Sequence, residues 1–170
     1  MILLGLGSNL PSNFGDRFQN IDLAVSAIEG YGIKIIKKSS YYESLSYPNK
    51  SNPKFINILI EIETHLPPED LVSVLIFIEE SLERKRNKKN DPRTCDIDLI
   101  DYNGQIIDFK YKDLDFTVPH TKLIYRNFIL YPLQEILPDW KHPKTKELIS
   151  ILIEKLPKED KNSILKIKKS

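Results

Sequence analysis

The chain has 170 residues, of which 41% are hydrophobic, and a formal net charge of +1. This length suits one domain with a sizeable core, and the balanced charge argues against a nucleic-acid partner, which would favour a basic excess. No apolar run approaches the roughly 20 residues that span a bilayer, and the single cysteine, Cys95, excludes an internal disulfide or a zinc cluster. We therefore expect a cytoplasmic protein with no membrane partner, in which Cys95 is a small buried residue.

The chain opens with a strand pattern followed by a helix pattern. Residues 1–7 are apolar and end at Ser8-Asn9, which predicts a first strand rather than a signal peptide. Apolar residues then recur at spacings of three and four, and Gly30 and Gly32 end this predicted helix. Its apolar positions are Phe14, Phe18, Ile21, Val25 and Ile28.

The middle of the chain predicts two strands, a long loop and a second helix. Residues 33–42 include three isoleucines and two tyrosines, and residues 55–64 alternate between isoleucine and other side chains, so both favour strands. Between them, segment 43–53 is rich in Ser, Asn and Pro, and a loop of this length in a compact domain is typically functional. Pro67-Pro68 with the acids that follow predicts a helix start.

The last part begins with residues 94–101, which read as a strand. Asn103-Gly104 predicts a hairpin turn from it into residues 105–108. A last helix is expected at about 145–155, followed by a basic, flexible tail over residues 158–170.

The predicted order of strand, helix, strand, strand, helix, strand is the split βαβ arrangement. We therefore predict an α+β, ferredoxin-like fold with an antiparallel sheet, a βαββαβ core and flanking helices. One domain is expected to cover residues 1–157.

The strongest chemical signal is the pair Asp96 and Asp98 in the strand predicted over residues 94–101. Side chains alternate along a strand, so these carboxylates share one face while Cys95, Ile97 and Leu99 take the other. Neighbouring same-face positions lie roughly 6.6 Å apart, and a hard divalent cation would relieve the repulsion between the acids. Oxygen ligands favour magnesium over zinc, and two ions about 3.5–4 Å apart could be held. A solvated strand face remains the alternative for this short pattern.

Basic side chains concentrate just before this acidic pair. They are Arg84, Arg86, Lys88, Lys89 and Arg93. Acids that bind metal beside bases that bind phosphate form the kind of site that phosphoryl transfer requires. The sequence contains no G-x-x-x-x-G-K-[ST] loop, and Gly5-Leu6-Gly7 lacks the third glycine of a dinucleotide fingerprint.

An ordered set of short motifs resembles the family of 6-hydroxymethyl-7,8-dihydropterin pyrophosphokinases of folate biosynthesis. The resemblance runs from about residue 2 to about residue 155. The motifs are Gly7-Ser8-Asn9, Phe55-x-Asn57, Arg84-x-Arg86, Pro92-Arg93-Thr94-x-Asp96-x-Asp98, and Val118-Pro119-His120 with Arg126.

The resemblance implies transfer of pyrophosphate from ATP, which binds first, to the hydroxymethyl group of the pterin, with release of AMP. It implies that Asp96 and Asp98 bind two magnesium ions and that Asp96 helps to accept the substrate proton. Arg84 and Arg93 would stabilise the moving phosphates. The implied nucleotide contacts are Arg86, His120, Arg126 and Glu79.

For the pterin, the resemblance implies a flat ring stacked between two aromatic side chains, with an amide along its edge. The implied substrate residues are Ser44, Leu45, Tyr47, Phe55, Asn57 and Phe128. Two loops depart from the family pattern. Lys89-Asn90-Asp91-Pro92 stands where Arg-Trp-Gly-Pro is common, which removes a tryptophan lid, and Ser44-Leu45 stands where Thr-Pro is usual.

The resemblance also allows this protein to work beside, or fused to, dihydropteroate synthase, the next folate enzyme, and the sequence does not decide whether it does. Two other functions remain alternatives. One is a ferredoxin-like nucleic-acid-binding module that uses the basic run before Asp96. The other is a different magnesium-dependent nucleotide transferase on the same fold.

Overall fold

A computed structural model of the protein describes residues 1–85 and 88–169. Its main feature is a six-stranded antiparallel sheet in which five strands follow the order β5-β1-β4-β3-β8, with β2 also paired to β4. Its strands are β1 (Ile2–Ser8), β2 (Lys34–Lys38), β3 (Tyr41–Ser44), β4 (Phe55–Glu63), β5 (Asp96–Tyr102) and β8 (Ile164–Ile167). The predicted ferredoxin-like antiparallel arrangement is confirmed.

Two helices cover one face of this sheet. Helix α1 (Arg17–Gly30) begins at a capping box in which Asp16 and Gln19 satisfy each other's backbone N–H groups. Helix α2 (Pro68–Ser81) begins with proline and two acids in its first turn, as predicted. Phe14 precedes α1 and is exposed, so the predicted apolar stripe starts at Phe18. The core under these helices includes Leu4, Leu6, Ile21, Ile28, Ile58, Leu75, Cys95, Ile97 and Leu99.

The opposite face is covered in part by helices α3 (Asn127–Ile136) and α4 (Ile149–Glu154). Their apolar side chains pack over Leu3, Leu59 and Ile100 in a second buried cluster. This cluster leaves one end of the face open. Asp96, Asp98 and Asn57 point to this second face because they alternate with core residues along their strands.

The predicted hairpin after β5 is wrong. Asn103 and Gly104 do form a tight turn, with φ angles of 54° and 69° and a hydrogen bond from the Gln105 N–H to the Tyr102 carbonyl. The chain does not return along β5, however. Strand β6 (Ile107–Tyr111) pairs instead with β7 (Leu114–Val118) in a separate two-stranded sheet, while the Asn103 N–H is held by the Met1 carbonyl.

Two further predictions differ in detail. The strand predicted over residues 33–42 is split into β2 and β3 around Ser39, whose backbone and hydroxyl both bond to Leu59. The expected flexible tail contains helix α5 (Lys158–Asn162) and strand β8, which pairs with β3. Ile164 is buried in that pairing, so a short apolar strand lies within the lysine-rich end.

Within residues 1–85 and 88–169, none of the helices is long and apolar enough to cross a membrane.

Candidate active site

The candidate site lies at one end of the main sheet, where β1 ends and β4 and β5 begin. The register places Gly7 of β1 between Asn57 of β4 and Asp96 of β5. A Cβ atom on Gly7 would lie 3.2 Å from the Asn57 Oδ1 and 3.3 Å from the Phe55 ring. Glycine is therefore favoured here by close approach, because a side chain at this position would press on the amide and the aromatic ring.

Asp96 and Asp98 lie side by side on the open face, as the strand alternation predicts. Their side chains are 24% and 31% exposed. The Asp96 carboxylate accepts hydrogen bonds from Arg84 at 2.8 Å and from Arg93 at 3.4 Å, and Asp98 accepts one from Arg126 at 3.3 Å. The cleft is thus lined by acids and guanidinium groups that neutralise one another.

The two carboxylates remain in electrostatic conflict despite these partners. Burial and the adjacent charge of Asp96 raise the pKa of Asp98 to about 7, against the opposing effect of Arg126. A divalent cation would remove this conflict, and paired carboxylates with phosphate oxygens form a ligand set that suits magnesium. Among the described residues, no cluster of three or more His, Cys, Asp or Glu side chains could hold a metal by itself, so phosphate or water oxygens would have to complete the coordination.

Glu79 holds two groups next to the acidic pair in place. It projects from α2 and is 2% exposed. One carboxylate oxygen accepts the Ile97 N–H at 2.8 Å, at the start of β5, and the other accepts Arg84 at 2.6 Å. Glu79 therefore fixes both the strand that carries the acids and the guanidinium that contacts Asp96.

Asn9 links three segments around the cleft, a role that the sequence analysis did not assign. Its side chain is buried, accepts the Arg93 N–H at 2.7 Å and donates to the Pro53 carbonyl at 3.0 Å and to the Ser46 hydroxyl at 3.2 Å. Its own N–H donates to the Arg93 carbonyl. The polar turn directly after an apolar strand is the signal that could have indicated this residue.

A cavity of about 610 Å³ opens on one side of the carboxylates. Asn57 lies in its wall, and its amide donates to the Ser44 hydroxyl at 2.9 Å and to the Tyr42 carbonyl at 3.3 Å. Arg93 lies over the Phe55 ring and Arg126 over the Phe128 ring. The residues predicted for the pterin that line this cavity are Leu45, Tyr47, Phe55, Asn57 and Phe128. Ser44 is buried behind Asn57.

A second cavity, of about 600 Å³, lies on the other side of the same carboxylates. Its polar part includes the predicted nucleotide residues Glu79, His120 and Arg126 together with Arg84. Its apolar part includes Leu114 and Phe116 of β7, which sequence reasoning missed because the β6–β7 hairpin was not predicted. Both cavities reach Asp96, Asp98, Arg93 and Arg126.

The contacts of His120, which lines this second cavity, define which of its ring nitrogens carries the proton. Its Nδ1 accepts the Lys122 N–H at 3.1 Å. Burial, followed by the charge of Arg126, lowers the pKa of His120 to about 4, so the ring is neutral at neutral pH. With Nδ1 used as an acceptor, the proton lies on Nε2, which is then a hydrogen-bond donor. The predicted nucleotide contact Arg86 lies outside the described residues.

Comparisons with known proteins agree on one family. A family model described as 7,8-dihydro-6-hydroxymethylpterin-pyrophosphokinase (HPPK) matches residues 3–138. The chain is 34% identical over 155 residues to the 2-amino-4-hydroxy-6-hydroxymethyldihydropteridine pyrophosphokinase of Synechocystis sp., covering 91% of this chain and 75% of that protein. It is 35% identical over 142 residues to the Aquifex aeolicus enzyme of the same name, covering 84% and 83%.

Longer relatives also match. The chain is 34% identical over 157 residues to the folic acid synthesis protein fol1 of Pneumocystis carinii, covering 92% of this chain and 21% of that protein. It therefore spans about a fifth of that relative. Among solved structures, an HPPK-DHPS triple mutant from Plasmodium falciparum superimposes with a TM-score of 0.71 at 16% identity, covering 91% of this chain and 42% of the other. At that identity the match shows a shared fold.

Proposed function

The chain belongs to the 7,8-dihydro-6-hydroxymethylpterin-pyrophosphokinase family, and from this premise we propose that it transfers pyrophosphate from ATP to 6-hydroxymethyl-7,8-dihydropterin in folate biosynthesis. One observation carries the proposal. Two cavities of similar volume meet at Asp96 and Asp98, with Arg93 and Arg126 reaching both. A reaction that joins two substrates through a polyphosphate needs this arrangement.

The second cavity suits ATP. Leu114 and Phe116 offer an apolar wall for the base, while Arg84, His120 and Arg126 lie toward the carboxylates, where the phosphates would lie. Neutral His120 would donate from Nε2 to a phosphate oxygen. We also assign Arg86 to the nucleotide from the sequence alone, and Glu79 to positioning Arg84 from its hydrogen bond.

The first cavity suits the pterin. Phe55 and Phe128 would stack on the two faces of the ring, since aromatic faces favour flat heterocycles. Asn57 would bond to the ring edge, because its amide can both donate and accept. Its existing bond to Ser44 fixes the direction of that amide, and backbone groups near Leu45 and Tyr47 would complete the recognition of the edge.

In the reaction, the pterin hydroxymethyl oxygen forms a bond to the β-phosphorus of ATP. The bond from that phosphorus to the oxygen bridging the α-phosphate breaks, and AMP leaves with that oxygen. Asp96 would help to accept the hydroxyl proton. Arg84 and Arg93 stabilise the charge that moves onto the phosphate oxygens, so the protein contributes mainly position and charge.

We propose that Asp96 and Asp98 hold two magnesium ions that arrive with ATP. The paired carboxylates and the raised pKa of Asp98 support this assignment. When bound, such ions neutralise phosphate charge and orient the reacting oxygens.

Neither alternative function is favoured. In a ferredoxin-like nucleic-acid binder the open sheet face displays stacking aromatics on a basic surface, whereas this face presents Asp96 and Asp98. The HPPK-DHPS structure and the greater length of the fol1 relative support a further proposal, that this protein works beside or fused to dihydropteroate synthase. The cytoplasmic location stays a prediction that cell fractionation would test.

The test is to incubate the protein with ATP, magnesium and 6-hydroxymethyl-7,8-dihydropterin and to separate the nucleotide products. Formation of AMP that requires the pterin supports the proposal. Formation of ADP or free pyrophosphate would indicate another nucleotide transferase. The variant Asp98→Asn is the control for contaminating activity, because it removes one carboxylate without changing the shape of the cleft.

A further inference from the structure

The segment formed by α5 and β8, residues 158–167, lies beyond residues 3–138 that the family model matches. Nothing in the sequence motifs gives it a role. In the structure, α5 lies against the loop over residues 45–54, and β8 pairs with β3, which leads into that loop. The segment is therefore placed to control a wall of the proposed pterin cavity.

Two side chains of α5 hold the loop. The Tyr47 hydroxyl donates to the Asp160 carboxylate at 2.9 Å, and Lys50 forms an ion pair with Glu159. The Lys50–Glu159 pair is exposed and contributes little. The Tyr47–Asp160 bond is exposed as well, but a carboxylate accepts it at good hydrogen-bonding distance, and it is the stronger of the two contacts. Asp160 also lines the pterin cavity, beside Tyr47.

Asp160 is also hydrogen-bonded to the opposite wall of the proposed pterin cavity. Asn127, which is 3% exposed, donates from its amide to the Asp160 carbonyl at 2.8 Å and to the Ser163 hydroxyl at 3.2 Å. Asn127 directly precedes Phe128, which we assign to one face of the pterin. Asp160 thus connects to the loop through its side chain and to the start of α3 through its backbone.

Strand β8 anchors this connection. Ile164 is buried opposite Ser44, and Lys166 lies opposite Tyr42 in the β3 register. Lys166 also forms an ion pair with Glu135 of α3 at 2.9 Å. Because β8 bonds to β3 immediately after α5 ends, the position of Asp160 is fixed relative to both walls.

We propose that Asp160 is a positioning residue that holds the loop 45–54 against α3 and so preorganises the pterin cavity. This inference rests on the proposed function. A loop held before the substrate arrives loses less conformational freedom on binding, which improves affinity without altering the chemical step. The expected signature is an effect on pterin binding that is separate from ATP binding and turnover.

The test compares Asp160→Ala and Asp160→Asn with the exposed control Asp139→Asn. Loss of this exposed hydrogen bond should raise the KM for the pterin about fivefold in Asp160→Ala, with kcat and the KM for ATP unchanged. Asp160→Asn keeps an acceptor oxygen and should raise it roughly two- to threefold. Hydrogen exchange of amides in residues 45–54 should become faster in both variants without any substrate, while Asp139→Asn behaves as wild type.

An unchanged KM for the pterin together with unchanged loop exchange would overturn the inference. A fall in kcat equal to the rise in KM would also overturn it, because Asp160 would then act on the chemical step. If Asp160→Ala fails to fold, the exchange and KM data of Asp160→Asn decide. Absence of AMP formation by the wild-type protein would instead refute the proposed function, and the loop exchange would still report on the Tyr47–Asp160 contact.

Discussion

Glu79→Gln tests whether the buried support of the acidic pair is required. The substitution keeps the size of the side chain. The glutamine amide, however, has one acceptor oxygen, whereas the carboxylate has two. If that oxygen remains on the Ile97 N–H, the amide NH₂ faces the Arg84 guanidinium, and an ion pair of 2.6 Å is replaced by two opposed donors.

The expected change in the free energy of unfolding depends on the burial of Glu79 and on the partner that Arg84 keeps. Breaking a buried ion pair costs about 3–5 kcal/mol, and losing a hydrogen bond to a charged group costs about 1.5–3 kcal/mol. Arg84 keeps its contact with Asp96, so we expect a loss of about 2–3 kcal/mol in the free energy of unfolding. The turnover number should also fall about tenfold, because Arg84 would lose a contact that orients it toward the proposed phosphate position.

The assay is urea unfolding followed by the fluorescence of Trp140, the single tryptophan, which is buried. Glu80→Gln is the matched control, since it makes the same change one position along α2 on an exposed side chain, and it should alter stability by less than about 0.5 kcal/mol. A Glu79→Gln variant as stable as Glu80→Gln would refute the supporting role.

Three further outcomes are expected. Asp98→Asn should lower kcat roughly a thousandfold through loss of metal-assisted charge stabilisation, with an unchanged circular dichroism spectrum; retained turnover would remove Asp98 from the metal site. Phe55→Ala should raise the KM for the pterin about tenfold by removing a stacking face, with the KM for ATP as the internal control. The folded pKa of His120, about 4, lies below the unfolded value of about 6.5, so at this residue the unfolded state binds more protons, and the contribution of His120 to stability falls as the pH drops from 6.5 toward 4. His120→Gln should remove this contribution, which is measured as the difference in urea midpoints between variant and wild type across that pH range; a difference that does not change with pH would contradict the buried neutral ring.

Local geometry was predictable from the sequence where alternation or turn chemistry decides it. Asp96 and Asp98 share a face because alternate strand residues always do. Asn103-Gly104 forms its tight turn because these residues tolerate positive φ. The partner of the following strand was not predictable in the same way, because β6 pairs with β7 across residues that carry no turn motif.

Contacts between distant segments required more than the residue pattern. The bonds from Asn57 to Ser44 and from Arg126 to Asp98 join separate elements, and only the family resemblance placed these residues in one site. The segment 158–167 lay outside that resemblance, and its lysine content concealed Ile164, the residue buried against β3.

The ion pairs of the cleft give a physical reason for the metal dependence that we propose. Arg84 and Arg93 contact Asp96, and Arg126 contacts Asp98. If magnesium and a polyphosphate bind here as proposed, the guanidinium groups would exchange carboxylates for phosphate oxygens, and the carboxylates would exchange guanidinium groups for cations. Each of these charged groups would gain a new partner, so none of these partly buried charges would be left unpaired. ATP without metal would find basic partners in the cleft, but it would also bring its own negative charge against Asp96 and Asp98.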